Sequence, residues 1–196
     1  ERALAHHVGL SHVFKMVKTF RENDDKTPII LMGYANPIEA IGAETFVERA
    51  KTSDVDGIIT VDYPPEECVE FTKLLKEKNI DSIFLLSPTS ELDRVKLIIE
   101  QASGFLYYVS LKGVTGAANI DIEQVKSKVG MIRELTDLPI GVGFGVKDAA
   151  TAKEVAKISD AVVVGSRMVQ EIESSNKENL IQNISKLMKE LREAVN

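Results

Sequence analysis

Glycine-containing turns follow three apolar segments of this chain, and their residue types suit the binding of an anion. The turns are residues 113–116 (GVTG), 143–145 (GFG) and 165–166 (GS). Glycine lets the backbone approach a ligand closely, and successive backbone N–H groups then form a concavity that holds phosphate. One Gly-x-Gly alone is more often a tight loop. Three turns together predict a phosphate site, where Ser166 adds a hydroxyl and caps the helix that follows.

Six short apolar segments must position these turns. They are residues 28–34, 57–62, 82–87, 105–110, 139–145 and 161–166. Each is continuously apolar rather than alternating, as expected of parallel strands that are buried on both faces. Amphipathic patterns predict helices over residues 1–22, 64–75, 89–99 and 180–191. Repeated βα units of this kind fit either an open doubly wound sheet or a (β/α)8 barrel.

The phosphate turns favour the barrel and give its strand numbering. In (β/α)8 barrels, phosphate often lies on the loops after strands 7 and 8 and on a short helix N-terminus. If residues 143–145 and 165–166 are those loops, residues 28–34 form the third strand. The chain would then hold about six of eight strands. We expect one phosphate-binding barrel domain over residues 1–196, incomplete at its N-terminus.

Composition excludes several other classes of protein. A net charge of −6 argues against a nucleic-acid binder, and no apolar run approaches the roughly 18 residues of a membrane helix. The single cysteine, Cys68, rules out an intrachain disulfide and suits the cytoplasm, and we interpret it as structural. We interpret His6, His7 and His12 as exposed polar residues and expect no metal site, because adjacent histidines on a helix diverge.

Six short motifs resemble one known family, in order and in spacing. They are residues 2–4 (RAL), 32–37 (MGYANP), 61–64 (VDYP), 113–116 (GVTG), 143–145 (GFG) and 165–166 (GS). Together they resemble the α subunit of tryptophan synthase, from its second helix to its C-terminus, over essentially the whole chain. The YAN and GVTG elements are specific to that family, whereas GFG and GS are shared by many phosphate-binding barrels.

The resemblance implies a lyase of tryptophan biosynthesis, which cleaves indole-3-glycerol phosphate to indole and glyceraldehyde 3-phosphate. It implies a pyridoxal-phosphate-dependent β subunit as partner in an α2β2 complex, and no cofactor in this chain. The implied phosphate-binding residues are Gly116, Phe144, Gly145, Gly165 and Ser166, and the implied pocket residues are Met32, Tyr34, Phe105, Tyr107 and Thr115. Because adjacent residues of a strand face opposite ways, Tyr107 rather than Tyr108 is expected to face the pocket.

The chain departs from the family pattern in two respects. The family's catalytic pair is a glutamate at the end of the second strand and an aspartate on the next loop, and we expect both upstream of Glu1. No catalytic residue is therefore assigned in this chain, which is expected to be inactive alone. Lys112 stands where an arginine is common. Asp62, at the end of a strand, is expected to order a loop rather than to do chemistry.

Two alternatives stay open. Another phosphate-binding barrel, such as indole-3-glycerol-phosphate synthase or an aldolase-like lyase, would be favoured by a catalytic lysine in a strand, and the six segments contain none. The other alternative is a non-catalytic barrel fragment that binds phosphate or a partner. A barrel without two of its strands exposes two hydrogen-bonding edges, which invite association or misfolding.

Overall fold

Strands and helices alternate along the chain. This computed structural model describes residues 5–110, 121–143 and 145–196. Among them are six strands and nine helices. They divide into two compact units, with the boundary inside one strand and one helix. Unit 1 is Glu1–Phe84 with Leu97–Gly104, and unit 2 is Leu85–Lys96 with Phe105–Asn196.

Unit 1 contains parallel strands that are joined by helices. In chain order it holds α1 (Leu10–Arg21), β1 (Ile30–Tyr34), α2 (Ala35–Ile41), α3 (Ala43–Thr52), β2 (Gly57–Val61), α4 (Val69–Glu77), most of β3 (Asp81–Leu86) and the end of α5 (Leu92–Gln101). Strand β1 pairs with β2 in parallel from Ile30↔Gly57 to Tyr34↔Val61, and β2 pairs with β3 from Gly57↔Asp81. Parallel pairing places the C-terminal ends of these strands at one edge.

Unit 2 repeats the same alternation. It holds the start of α5, then β4 (Leu106–Val109), α6 (Ile122–Arg133), β5 (Ile140–Gly143), α7 (Ala149–Ala156), β6 (Ala161–Val163), α8 (Ser166–Ser174) and α9 (Leu180–Val195). Strand β5 pairs in parallel with β4 on one side and with β6 on the other. All four residues of β5 are buried, which explains its continuous apolar sequence.

Aromatic rings join the helices of unit 1 to its core. Phe46 of α3 contacts Phe14 of α1 at 5.7 Å between ring centroids and Phe71 of α4 at 6.1 Å. All three rings are buried, together with Val17, Val47 and Leu75. Burial of a large apolar side chain contributes about 1.5–3 kcal/mol. These rings therefore hold three helices against one side of the β1–β2 pair.

An aspartate directly before a strand joins three elements at the N-terminal edge of unit 1. Asp56 precedes β2, and its Oδ2 accepts a hydrogen bond of 2.7 Å from the backbone N–H of Ile29. The same oxygen accepts from Arg21, the last residue of α1, at 2.6 Å. The backbone N–H of Asp56 in turn donates to the carbonyl of Ile29 at 3.0 Å. One carboxylate thus joins the end of α1 to the starts of β1 and β2.

The same junction recurs in unit 2. Asp160 precedes β6, and its Oδ2 accepts from the backbone N–H of Ile140 at 2.8 Å and lies 2.9 Å from the guanidinium of Arg133. Arg133 is the last residue of α6, and the N–H of Asp160 donates to the carbonyl of Ile140 at 2.9 Å. In both units, therefore, an aspartate carboxylate joins the last arginine of a helix to the starts of two neighbouring strands.

The six predicted strands are confirmed. For each strand, at least one observed boundary differs from the predicted boundary by one to three residues. The largest difference is at residues 161–166, because helix α8 already begins at Ser166. The predicted helix over residues 1–22 is interrupted. Ala5 is helical, residues 6–9 are not, and α1 begins at Leu10, after an extended Gly9 whose N–H donates to Nδ1 of His12 at 3.3 Å. Residues 1–4 lie outside the described part of the chain.

The helix predicted from Pro64 also begins later, at Val69. The residues before it form a turn in which the carbonyl of Pro64 accepts from the N–H of Glu67 at 3.0 Å. The next carbonyl, that of Pro65, accepts from the side chain of Gln101 at 2.6 Å. The Pro65 carbonyl therefore accepts from a side chain of α5, and the residues around it form a turn rather than part of the helix.

Candidate phosphate-binding site

Two of the predicted glycine turns leave the same edge of the sheet in unit 2. Gly143 of β5 and Val163 of β6 are register partners. Gly145 and Gly165 each lie two residues beyond that pair. Since both strands run in the same direction, the two turns begin side by side at the C-terminal edge. Ligands of α/β barrels bind at this edge.

The backbone of the Gly143 turn is closely packed and sharply bent. A Cβ added to Gly143 would lie 2.5 Å from the hydroxyl of Tyr107 and 2.9 Å from Cβ of Val163, so only glycine fits. The carbonyl of Gly143 accepts from both the backbone N–H and the hydroxyl of Ser110, at 3.0 and 2.7 Å. Gly145 has φ +85°, a left-handed conformation that favours glycine.

The N-terminus of α8 differs from those of the two preceding helices of unit 2. The side chain of Asp121 accepts from the backbone N–H of Gln124 and so caps α6. In the same way, Asp148 accepts from the N–H of Thr151 and caps α7. Gly165 is the N-cap residue of α8 and makes no side-chain hydrogen bond to the first amides of that helix. A Cβ added to Gly165 would meet nothing within 4 Å, so the space in front of the helix is open. Unpaired N–H groups and the helix dipole make such an end a site for an anion.

Ser166 has a different place from the one predicted. It is the first residue of α8 rather than its cap, because the carbonyl of Gly165 already accepts from the N–H groups of Met168 and Val169. Its side chain is exposed at the open end of the helix. The hydroxyl is therefore available to a ligand, which capping would not have allowed.

The cation nearest in sequence to this helix end is already paired. Arg167 forms an ion pair with Glu171, one turn later in α8, with 2.7 Å between nitrogen and oxygen. Pairing reduces the charge that Arg167 presents to a ligand. An anion bound here would therefore be held mainly by backbone amides, as expected in a chain of net charge −6.

Two predicted pocket residues lie on or beside β4. Tyr107 is buried, burial raises the pKa of its phenol, and its hydroxyl lies against Gly143. Phe105 is half-buried, and its ring lies against Gly141 of the neighbouring strand. Tyr107 therefore contacts the backbone that leads into the Gly145 turn, whereas Tyr108 is fully buried.

Other predicted site residues lie in unit 1 or outside the described residues. Met32 and Tyr34 lie on β1 and are 51% and 61% exposed. Three implied site residues, Thr115, Gly116 and Phe144, lie outside the described part of the chain, as does Lys112.

Asp62 directly follows β2 in a strained conformation. Its φ is +57°, which is rare for a residue other than glycine, and its side chain is exposed. The neighbouring Tyr63 donates a hydrogen bond of 3.0 Å to Glu39 of α2. Burial, and then this hydrogen bond, raise the pKa of Tyr63 to about 12. The loop after β2 is therefore joined to helix α2 beside Asp62, a contact that the sequence analysis missed.

Cys68 lies buried in the same loop. Burial is the main cause that raises the pKa of its thiol to about 11, with a smaller contribution from Glu66. The thiol contacts the carbonyl of Pro65 at 3.4 Å and the side-chain oxygen of Gln101 at 3.5 Å. It is therefore protonated at neutral pH, as a structural cysteine would be.

Metal and membrane features were sought over the same residues. His6, His7 and His12 are exposed, and no group of three metal-ligating side chains occurs in residues 5–110, 121–143 and 145–196. Nor does any helix of this part of the chain have the length and apolarity needed to cross a membrane.

Comparison with known proteins decides the family. A family model described as tryptophan synthase alpha chain matches residues 1–196. The chain belongs to the tryptophan synthase α chain family. A tryptophan synthase α chain from Nitrosomonas europaea is 52% identical over 195 residues, which are 100% of this chain and 71% of that protein. Members of this family are lyases of tryptophan biosynthesis. An identity of about 52% across the whole chain supports the same function for this protein.

Solved structures agree with this family assignment. The tryptophan synthase α subunit of Legionella pneumophila superposes with a TM-score of 0.88 at 36% identity, over 99% of this chain and 72% of that one. A chain from the tryptophan synthase α2β2 complex of Pyrococcus furiosus superposes with a TM-score of 0.87 at 35% identity, over 98% of this chain and 77% of that one. Tryptophan synthase α chains are (β/α)8 barrels, so the predicted fold class is confirmed, with six strands in the described residues.

Proposed function

We propose that this tryptophan synthase α chain acts in the cleavage of indole-3-glycerol phosphate to indole and glyceraldehyde 3-phosphate. The observation that carries the proposal is the open N-terminus of α8 at Gly165, beside the left-handed turn at Gly145. Both leave one edge of the sheet in unit 2. Family membership supports the choice of substrate, and the geometry of this edge supports our placement of its phosphate.

The phosphate would be bound mainly by backbone amides. We assign this role to the N–H groups at Gly145, Gly165 and Ser166, with the Ser166 hydroxyl as a further donor. Gly116 and Phe144 are proposed to add amides from their turns. The indole and glycerol moieties would contact the implied pocket residues, which are Met32, Tyr34, Phe105, Tyr107 and Thr115.

Cleavage requires groups that we do not assign to this chain. A base must remove the hydroxyl proton, an acid must protonate the indole ring carbon, and a carboxylate must stabilise the indole N–H as positive charge develops. We propose that the family's glutamate and aspartate, outside this chain, do this work. The 196 residues alone would then hold the substrate's phosphate without cleaving the substrate.

The assembly and its cofactor belong to the same proposal. We infer that the partner is a tryptophan synthase β subunit in an α2β2 complex, which the Pyrococcus furiosus complex supports by similarity. Pyridoxal phosphate would be bound by that β subunit, with no cofactor in the α chain. We further propose a cytoplasmic protein that binds neither nucleic acid nor a membrane, consistent with its acidic charge.

The activity is tested directly with the full-length protein, by which we mean this chain together with the upstream segment proposed to carry the two carboxylates. Release of glyceraldehyde 3-phosphate and indole from indole-3-glycerol phosphate is measured with and without a β subunit. We expect release in both conditions, faster with the β subunit, and none from the 196-residue chain alone. If the full-length protein releases no product in either condition, the proposed function is wrong.

The phosphate site is tested by substitutions at Gly165. Gly165→Asp places a carboxylate at the open helix end, where it would cap α8 and repel phosphate, so we expect binding of glycerol 3-phosphate to fall by at least about tenfold. Gly165→Ala is the matched control, because Gly165 has an ordinary φ of −109° and an added Cβ meets nothing. Position 145 is less suitable, since its φ of +85° would strain any side chain. Equal binding by both variants would contradict the placement.

A further inference from the structure

Ser110 makes an unusual contact at the end of β4. Its hydroxyl donates to the carbonyl of Gly143 at 2.7 Å, and its backbone N–H donates to the same oxygen at 3.0 Å. The residue is 6% exposed, so water does not compete strongly for either bond. Only the N–H bond belongs to the regular ladder between β4 and β5, which already pairs Val109 with Gly143. The hydroxyl bond is additional.

The second bond fixes the orientation of the last peptide plane of β5. A carbonyl oxygen has two lone pairs, and here Ser110 occupies both. Because the peptide unit is planar and trans, a fixed carbonyl at Gly143 also fixes the plane through which the chain leaves the strand. Tyr107 and Val163 also leave no space for a side chain at position 143. The carbonyl of Gly143, two residues before Gly145, is thus held in a defined orientation.

We propose that Ser110 is a positioning residue for the phosphate-binding turn, acting through the carbonyl of Gly143 rather than by contact with the ligand. The inference rests on the proposed function, because it needs phosphate to bind at the Gly145 turn. Preorganised amides bind an anion better than amides that must first be ordered. The hydroxyl of Ser110 therefore contributes to affinity for the phosphate group and not to the chemical step.

Ser159 offers a matched control in the same unit. Its hydroxyl also donates to backbone carbonyls, those of Val155 at 2.8 Å and Ala161 at 3.1 Å. Ala161 is the first residue of β6, so these bonds lie at the N-terminal edge of the sheet, opposite the phosphate turns. Loss of either hydroxyl removes hydrogen bonds to the backbone, but only loss of the Ser110 hydroxyl releases the Gly143 carbonyl.

The experiment compares Ser110→Ala and Ser159→Ala in the full-length protein. For Ser110→Ala we expect the Kd for glycerol 3-phosphate and the KM for indole-3-glycerol phosphate to rise together by about three- to tenfold, the worth of one hydrogen bond, with kcat unchanged. Glycerol, which lacks the phosphate, serves as the negative ligand. Ser159→Ala should bind and turn over as the unsubstituted protein does. Equal Kd and KM in all three proteins would overturn the inference and leave the proposed function standing.

A second measurement distinguishes failure of the Ser110 inference from failure of the proposed function. The amide chemical shift of Gly145 is recorded by NMR in the ligand-free proteins, and we expect a larger change in Ser110→Ala than in Ser159→Ala. If the unsubstituted protein neither binds glycerol 3-phosphate nor cleaves its substrate, the proposed function fails. Even in that case, a changed Gly145 amide shift in Ser110→Ala would show that Ser110 positions the turn. An unchanged shift would overturn the inference about Ser110 together with the proposed function.

Discussion

Among single residues, Tyr108 stands out because its hydroxyl is buried without a hydrogen-bond partner in the described part of the chain. The side chain is fully buried on β4, and burial raises the pKa of its phenol. A buried hydroxyl that makes no hydrogen bond costs about 1–3 kcal/mol relative to its hydrated state in the unfolded chain. The ring stabilises the core of unit 2 while its oxygen opposes that stabilisation.

We predict that Tyr108→Phe raises the free energy of unfolding of the full-length protein by about 1 kcal/mol, because it removes this oxygen and keeps the ring. The measurement is urea-induced unfolding. Tyr63→Phe is the control, since it removes a hydroxyl that does donate, at 3.0 Å to Glu39, and should not stabilise the protein. A loss of stability in Tyr108→Phe would show that the hydroxyl has a partner.

Asp148 gives a prediction for the pH dependence of stability. Its carboxylate caps α7 by accepting from the N–H and the hydroxyl of Thr151, and these bonds hold its pKa below the ordinary value of 3.8. A depressed folded-state pKa means that the stabilisation is complete above the unfolded pKa. It is lost as the pH falls through the lower folded-state value.

We therefore predict that Asp148→Ala lowers the free energy of unfolding by about 1 kcal/mol at neutral pH and by progressively less below about pH 4. Unfolding by urea is measured from pH 7 to pH 3. Asp148→Asn retains an acceptor but cannot titrate, so the cap of this control should not weaken with acid. A difference between Asp148→Ala and the unsubstituted protein that is independent of pH would count against this account.

At the scale of elements, the two aspartate junctions give the units a shared architecture. Each joins the last arginine of a helix to the starts of two neighbouring strands. The environments differ, because the side chain of Arg21 is 10% exposed and that of Arg133 is 47% exposed. Arg21 also donates to the backbone carbonyls of Asp54 and Thr27. Removing one partner of an ion pair costs more when the remaining charge is buried than when it can return to water.

We predict that Asp56→Asn destabilises the full-length protein by about 2 kcal/mol and Asp160→Asn by about 1 kcal/mol or less. The physical reason is that Asp56→Asn leaves a buried guanidinium with a weakened partner, whereas Arg133 can return to water. Thermal and urea unfolding of both variants at the same pH decide the order. Equal losses, or a larger loss for Asp160→Asn, would refute the argument from burial.

Strand positions were predictable from the sequence, whereas helix starts were less so. Continuous apolar segments such as residues 139–145 are typical of buried parallel strands, because such a strand contacts other elements on both faces. The start of α4 depends on Gln101, which is distant in sequence and takes the carbonyl of Pro65. Helices α2 and α3 were not predicted at all. Gly42, with φ +85°, separates them, and neither extends beyond ten residues.

At the scale of the molecule, β1 is an edge strand of unit 1 in the described part of the chain. Its last three residues are exposed, including the apolar Met32 and Tyr34. Unpaired strand edges with apolar side chains are templates for association. The 196-residue chain on its own therefore presents a surface that a second chain can pair with.

We predict that the isolated 196-residue chain self-associates as its concentration rises, and that Met32→Lys reduces this association by adding a charge to the edge. Sedimentation velocity over a concentration series measures it. Met16→Lys is the control, because Met16 is similarly exposed but lies on helix α1. The edge has no role in association if the chain stays monomeric at all concentrations, or if both lysine variants behave alike.

The sequence by itself determined the fold class, the six strands and the family. Apolar continuity, glycine turns and family motifs are local signals that survive without any tertiary contact. It also predicted special roles for Gly145 and Gly165, and at Gly145 the left-handed φ of +85° explains the residue type. That Gly165 caps α8 without a side-chain hydrogen bond, and that Ser166 is the first residue of the helix, emerged only from the structure.

The contacts of Ser110, Asp56 and Asp160 were decided by tertiary structure alone. A serine at the end of a strand or an aspartate before one has many potential partners. The one it contacts depends on which strands lie side by side and in what register. Hydrogen bonds act over about 3 Å, and folding brings residues 20 or more positions apart within that distance. The glycine turns that we propose to bind phosphate were thus predictable from the residues, whereas their contacts with Ser110 could be read only from the fold.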